Sequence, residues 1–283
     1  MSIIIGRKID GTRCTRLREK KRETVLITCA TSGIGYELGR LFAMNGYDLV
    51  LVDTDSSELK RTSSEWMKKY KVHIETFSQN LSSPDAAKQI YEWTMERQKP
   101  IHLMINYADF QLSGSFLETE LAQELEMIQV HIATFTAITK LFIKQMAGRR
   151  YGRILQVAST AAFQPRPRLA VFHATNAFIL AFGQALDNEM KDYGVRVNTL
   201  CAGPELSQVK WSAREEVPTW LSEVPMSAQN IAEFAFRRFL DEQDKPLIIP
   251  GVKNRLLARS VQFMPRKMVT KVVKKMDEGK SGD

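Results

Sequence analysis

Short apolar runs alternate with amphipathic segments along most of the chain. Runs rich in valine, isoleucine and leucine have the length of buried strands and predict strands at residues 24–28, 48–53, 72–80, 101–106, 153–158, 195–202 and 246–250. Between them, apolar residues recur at helical spacing and predict helices near residues 33–45, 56–69, 84–97, 117–146, 169–191 and 227–240. Because strands and helices alternate with short links, the pattern predicts an α/β fold, with helices on both faces of a doubly wound, mostly parallel seven-stranded sheet.

Length and composition indicate one large globular domain. The chain has 283 residues, of which 44% are hydrophobic and 25% charged. We divide it into a basic N-terminal leader (1–23), an α/β domain (24–250) and a basic helical C-terminal extension (251–283). No apolar run reaches the ~18–20 residues of a membrane span, and no signal-peptide core is visible, so we expect a cytoplasmic protein. Three cysteines and four scattered histidines show no metal-type spacing, and no metal site is expected.

The net charge of +8 is concentrated at the two ends of the chain. Residues 7–22 and 253–275 are strongly basic, and such segments can dock on nucleic acid, anionic lipid or an acidic partner. No nucleic-acid-binding motif accompanies the charge, so nucleic acid is not an expected partner. The segment 251–276 alternates apolar pairs with basic residues. Membrane contact as a basic amphipathic helix is one reading of it, and we favour a role beside a ligand pocket or against a partner.

Two stretches carry the candidate chemistry. Residues 28–35 read Thr-Cys-Ala-Thr-Ser-Gly-Ile-Gly and join the first strand to the first helix. A glycine-rich turn of this kind presents backbone N–H groups and a helix N-terminus to a phosphate. Residues 153–186 place a strand that ends at Ser159 about thirteen residues before Phe172, on a helix that also carries Asn176.

The first stretch resembles the phosphate-binding turn of the short-chain dehydrogenase/reductase family, Thr-Gly-x-x-x-Gly-x-Gly, with Cys29 in place of the first glycine. The resemblance covers about residues 24–276 and implies a Rossmann-type fold. Asp53 ends the second strand, where an acid accepts hydrogen bonds from ribose hydroxyls and favours NAD(H) over NADP(H). Tyr107 and Asp109 stand where the family has smaller residues, and a carboxylate near a pyrophosphate disfavours binding. The positions that the resemblance implies in cofactor binding are Thr31, Ser32, Gly33, Ile34, Gly35, Asp53, Asn80, Leu81 and Asn106.

The second stretch resembles the family's active site. The family has a serine at the strand end and Tyr-x-x-x-Lys on the next helix. Here Ser159 is present, but Phe172 stands at the tyrosine position and Asn176 at the lysine position. His131 stands where the family has a supporting asparagine on the preceding long helix. Phenylalanine has no ionisable proton and asparagine no charge, so the chain is identified as a degenerate member that lacks the catalytic tyrosine and lysine.

Three functions remain open at this point. The first is a pseudoenzyme or non-catalytic subunit of an oligomer. The second is an enzyme with non-redox chemistry, such as an isomerase, dehydratase or cyclase, in which His131 or His173 acts as acid or base. Arg166 and Arg168 would then hold an anionic ligand, and the resemblance of the C-terminal extension suggests an acyl ligand. The third is a weak residual NAD(H)-dependent oxidoreductase.

The two long helices are candidate association surfaces. Members of the family commonly pair through the helices that correspond to residues 117–146 and 169–191, which implies a homodimer or a hetero-oligomer with an active relative. Both helices are rich in large apolar residues, and we expect part of this set to face the partner: Phe135, Ile138, Leu141, Phe142, Phe178, Ile179 and Phe182.

Overall fold

The computed structural model describes residues 22–206, 224–241 and 245–263. Within them, seven strands form one sheet in the order β3-β2-β1-β4-β5-β6-β7, and all neighbouring strands pair in parallel. The strands are β1 (Thr24–Thr28), β2 (Asp48–Asp53), β3 (Ile74–Ser78), β4 (Leu103–Asn106), β5 (Gly152–Ser159), β6 (Val195–Ala202) and β7 (Leu247–Ile248). The predicted doubly wound, Rossmann-type sheet is confirmed.

The helices are α1 (Gly33–Met44), α2 (Ser56–Tyr70), α3 (Ala86–Glu96), α4 (Leu121–Ile128), α5 (Phe135–Gly148), α6 (Ala170–Met190), α7 (Ala228–Leu240) and α8 (Val252–Phe263). Short 3₁₀ segments follow β5 and α6, at Thr160–Phe163 and Lys191–Tyr193. Among the described residues, no helix is long and apolar enough to cross a membrane.

Alternating side chains of the strands enter two separate cores. In β1, Val25 and Ile27 pack with residues of α1, α2 and α7 on one face of the sheet, whereas Leu26 packs with α3 and α5 on the other face. All three side chains are buried, as expected for a parallel strand covered on both faces. Because all strands run in parallel, the turns that follow them lie along one edge of the sheet.

The predicted helix 117–146 has a different internal structure. Residues Gln129–Thr134, between α4 and α5, form a π-helical turn, and α4 begins only at Leu121. A π-turn accommodates extra residues within a helix and is frequent at functional sites. The long helix that the sequence predicts is therefore present, but it begins four residues later and contains a π-turn that the apolar period does not reveal.

Some expectations lie outside the described residues. These are most of the leader and the tail beyond residue 263. The described part of the C-terminal extension is α8, which agrees with a helical extension.

Candidate functional site

The ends of β1 and β4 are tied together at the carboxyl edge of the sheet. Thr28 Oγ1 donates to the carbonyl oxygen of Tyr107 over 2.6 Å, and the Tyr107 N–H donates back to Thr28 Oγ1 over 2.8 Å. Thr28 is fully buried, so neither bond competes with water. This pairing fixes where the Tyr107 side chain enters the turn after β1.

The turn after β1 keeps a glycine-like backbone without its first glycine. Cys29 has a φ of 54°, in the left-handed region that glycine adopts without strain. Gly35 is indispensable for packing here, because a Cβ on it would lie 1.9 Å from the Cys29 carbonyl oxygen. Burial, followed by the charge of Asp53, raises the pKa of the Cys29 thiol to about 12, so the thiol stays protonated. The turn therefore keeps its backbone path, with a cysteine in the left-handed conformation of the missing glycine.

Gly33 faces two side chains of the protein itself. A Cβ on Gly33 would lie 3.1 Å from Glu205 Oε2 and 3.7 Å from the Tyr107 hydroxyl. Both residues are buried, and burial, followed by the charge of Asp109, raises the pKa of Tyr107 well above its usual value. Glu205 was not among the predicted site residues. Its sequence signal was an acid three residues after the end of β6, at the same edge of the sheet as the turn.

The Asp53 carboxylate is engaged by its own chain. Asp53 Oδ2 accepts hydrogen bonds from the Thr31 N–H over 3.0 Å and from Thr31 Oγ1 over 2.7 Å. Asp53 Oδ1 accepts from the Thr54 N–H over 2.7 Å and from Thr54 Oγ1 over 3.3 Å. A carboxylate has about four lone-pair sites, so the protein supplies a donor for each of them.

The remaining predicted cofactor positions lie at the same edge or just behind it. Asn106 is buried and donates to the Phe135 carbonyl over 3.1 Å and to Thr139 Oγ1 over 3.2 Å. Asn80 Oδ1 accepts from the Ser82 N–H over 2.9 Å, and the Leu81 carbonyl accepts from Thr134 Oγ1 over 2.8 Å. Ile34 is buried in the core, and Ser32 is the N-cap of α1 without a side-chain capping bond.

Ser159 and Asn176 are directly bonded. The Ser159 N–H donates to Asn176 Oδ1 over 2.7 Å, and Asn176 Nδ2 donates to the Phe172 carbonyl over 2.8 Å. The Ser159 hydroxyl accepts from the Ala161 N–H over 3.1 Å. The buried amide of Asn176 therefore joins the end of β5 to α6.

His131 lies in the π-turn and is held from two sides. Its Nδ1 lies 3.0 Å from Thr175 Oγ1, and the ring also bonds the backbone of Ala108. Burial lowers the pKa of His131 from 6.5 to about 4, and the Ala108 bond opposes this only in part. The Phe172 ring centroid lies 6.3 Å from that of His131. The four positions that resemble the active site are thus brought together, and His131 is neutral at pH 7.

His173 faces the loop that precedes its own helix. Its Nδ1 bonds the carbonyl oxygen of Gln164, and its ring also bonds the backbone of Ala161. Burial lowers its pKa, and the charge of Arg166 acts in the same direction. Arg168 has a φ of 61°, and its carbonyl accepts from the Gly114 N–H over 2.8 Å. Both histidines thus use ring nitrogens within the protein.

The apolar residues of the two long helices divide differently from the prediction. Phe135, Ile138, Phe142 and Ile179 are at most 2% exposed and belong to the cores of the chain. These four side chains therefore belong to the packing of α5 and α6 on the sheet, whereas Leu141, Phe178 and Phe182 are only partly buried and remain candidates for the surface that faces a partner. Five large apolar side chains in and just before α4 are exposed: Phe116, Leu117, Leu121, Leu125 and Ile128.

The fold and the turn after β1 define a Rossmann-type protein. Residues 23–218 match the profile of the short chain dehydrogenase family. This is more than half of the chain, and the protein belongs to that family.

Its relatives include reductases of acyl substrates. The very-long-chain 3-oxoacyl-CoA reductase of Coprinopsis cinerea is 26% identical over 210 residues, which cover 72% of this chain and 62% of the relative. The enzyme of the same name from Bos taurus is 27% identical over 208 residues, covering 70% of this chain and 63% of the relative. The chain therefore spans less than two thirds of these two relatives.

Solved structures agree on the fold. A 7beta-hydroxysteroid dehydrogenase superposes with a TM-score of 0.77 at 21% identity, over 92% of this chain and 99% of that chain. A short-chain dehydrogenase from Sphingobium yanoikuyae, solved with NADPH, gives a TM-score of 0.74 at 23% identity, over 88% of this chain and 95% of that chain. The fold extends to nearly the full length of both structures.

Proposed function

We propose that this protein is a non-catalytic member of its family, which acts as a subunit of an oligomer. The bond between Ser159 and Asn176 carries the proposal. At the position that resembles the family's lysine, the side chain has no charge and its amide joins a strand to a helix. Phe172, at the position that resembles the tyrosine, offers no proton. Loss of a positioned acid or base costs about 10²–10⁴ in rate, so carbonyl reduction at this site would be very slow.

The buried histidines support this proposal over rewired acid–base chemistry. A general base works best with a pKa near the operating pH. The pKa of His131 is lowered to about 4 and both sides of its ring are bonded to the chain. The nitrogens of His173 bond backbone groups of the adjacent loop.

A face of α4 supports the oligomer. Leu121, Leu125 and Ile128 follow the spacing i, i+4 and i+7, so they lie on one side of the helix, and they are 69%, 53% and 37% exposed. The same helix exposes Glu126, whereas α5 exposes lysines at positions 140 and 144. An antiparallel pairing of two such helix pairs would bring acidic and basic ends together. The partner is a second copy or an active relative with the same surface.

A residual reductase is the second candidate, and it is favoured by the relatives. The curated enzymes of Coprinopsis cinerea and Bos taurus are named 3-oxoacyl-CoA reductases. An acyl or anionic ligand is therefore the class to test first, and Ser159 would orient its carbonyl.

An activity assay with NADH and NADPH separates the two candidates. Acyl thioesters with a 3-oxo group and simple ketones are the substrates, and the variants are wild type, Phe172→Tyr and Phe172→Tyr/Asn176→Lys. We expect no turnover in the wild type. Turnover that survives purification and exceeds a heat-treated control by tenfold or more would reject the proposal.

A further inference from the structure

Glu205 and Tyr107 lie beside Gly33, on the side where a phosphate would bind in this fold. In a Rossmann turn, one glycine lets the backbone come close to the pyrophosphate. Gly33 corresponds to that glycine. A Cβ added to Gly33 would nevertheless lie 3.1 Å from Glu205 Oε2 and 3.7 Å from the Tyr107 hydroxyl. A pyrophosphate at Gly33 would meet a carboxylate and an aromatic ring.

Both side chains are anchored through their backbones. The Leu206 N–H donates to the Met226 carbonyl over 3.0 Å, and the Met226 N–H donates to the Pro204 carbonyl over 3.0 Å, so Glu205 lies inside a short parallel bridge. Tyr107 is fixed by its two bonds with Thr28. Glu205 is 7% exposed and Tyr107 is 6% exposed. The contact is therefore part of the packed structure.

The electrostatics of α1 suit an internal anion. Helix N-termini attract negative charge, but α1 has no acid in its first turn and Ser32 makes no side-chain capping bond. The carboxylate of Glu205 comes to this end of the helix from the end of β6. A second anion, such as a phosphate, would be repelled there.

We propose that the Glu205 carboxylate, packed with Tyr107, is a built-in occupant of the phosphate-binding turn and excludes NAD(H) and NADP(H) from the wild-type protein. The residues present thus do not fit the cofactor of the family. The contacts of Asp53 support the same conclusion. Thr31 and Thr54 donate to its carboxylate, which would otherwise accept hydrogen bonds from ribose hydroxyls. The inference rests on the proposed function, since both concern one edge of the sheet.

Binding of NADH and NADPH tests the inference without any turnover. Calorimetry and nicotinamide fluorescence are measured for wild type, Glu205→Gln, Glu205→Ala and Glu205→Ala/Tyr107→Asn. The matched control is Glu92→Gln, which removes one exposed carboxylate on α3 that pairs with Lys88 over 3.8 Å. We expect no saturable binding by the wild type and the control up to about millimolar ligand. The double variant should bind saturably, with a dissociation constant at least about 30-fold below that upper concentration. Glu205→Gln keeps the volume and removes the charge, so its gain should be smaller.

Two results would overturn the inference. One is micromolar NADH binding by the wild type. The other is a double variant that keeps the wild-type circular dichroism and melting transition and gains no affinity. If the double variant does not fold, Glu205→Gln replaces it in the test. A folded Glu205→Gln protein with no gain in affinity for NADH or NADPH would then overturn the inference. Turnover by the wild type would reject the proposed function, whereas NADH binding without turnover would reject only this inference.

Discussion

The Ser159 N–H donates to Asn176 Oδ1 over 2.7 Å, so the end of β5 is bonded to the second turn of α6. Asn176 is 3% exposed, and its Nδ2 also donates to the Phe172 carbonyl, four residues earlier in the helix. One amide thus bonds strand and helix at once. The position that resembles the family's lysine has become a part of the scaffold.

Removal of this amide should destabilise the fold. In Asn176→Ala, the Ser159 N–H loses its acceptor, and we expect the free energy of unfolding to fall by about 1–3 kcal/mol. Urea unfolding followed by circular dichroism measures the change. Asn188→Ala is the matched control, because Asn188 Nδ2 makes the same bond to the carbonyl four residues earlier, at 3.3 Å, on the exposed side of α6. The control should change stability by less than about 0.5 kcal/mol. Equal effects of both variants would contradict a bridging role.

Gly35 should not tolerate a side chain. A Cβ at this position would lie 1.9 Å from the Cys29 carbonyl oxygen and 3.2 Å from Tyr107 Cδ1. Since the nearest atom belongs to the backbone, Gly35→Ala must move the turn after β1, and we expect a loss of about 3 kcal/mol or more. Gly148→Ala in α5 is the control, because nothing lies within 4 Å of its added Cβ. The control should be neutral or slightly stabilising in thermal unfolding. A Gly35→Ala protein with the wild-type melting temperature would show that the turn can move away from Gly35 without loss of stability.

His131 should make the fold sensitive to acid. Burial lowers the pKa of His131 from 6.5 to about 4. Between these two values the unfolded chain binds a proton that the folded chain does not, so the free energy of unfolding decreases as the pH falls from about 6.5 towards 4. The full contribution, on the order of 3 kcal/mol, is present above pH 6.5. His173 acts in the same direction, because burial lowers its pKa as well.

The variant His131→Asn isolates this contribution. Urea unfolding of the variant and the wild type is compared at several values between pH 7 and pH 4. The difference between the two should shrink or reverse as the pH falls, because the variant has no imidazole to protonate. Parallel stability curves over this range would contradict the assigned cause.

The exposed face of α4 should control association. Leu125→Glu places a charge at the centre of the face formed with Leu121 and Ile128, and we expect the dissociation constant of the oligomer to rise at least about tenfold. Sedimentation velocity over a range of protein concentrations measures it. Met44→Glu is the control, since Met44 is 52% exposed on α1, on the other face of the sheet. A wild type that stays monomeric at all concentrations, alone and with a family relative, would argue against this surface.

The sequence by itself determined the layers and the order of the elements. Apolar runs such as residues 24–28 and 48–53 can be buried only when helices cover both faces of the sheet, so alternation and length were sufficient to predict the parallel fold. The bounds of β1 and β2 agree with the prediction, because polar residues stand at both ends of an uninterrupted apolar run in each strand. The π-turn at Gln129–Thr134 was not predictable, since one wider turn shifts the apolar spacing too little to stand out in a long helical pattern.

The candidate site, too, was predictable from the sequence only in part. The sequence placed Gly33, Gly35, Asp53 and Ser159 at strand ends, because local motifs carry that information. Only the tertiary structure brought Glu205, which follows β6, against Gly33, which begins α1 after the turn that follows β1. Contacts of this kind depend on the twist of the sheet and the lengths of several strands. Hydrophobic periodicity fixes which elements form, whereas packing between distant strand ends decides which side chains meet there.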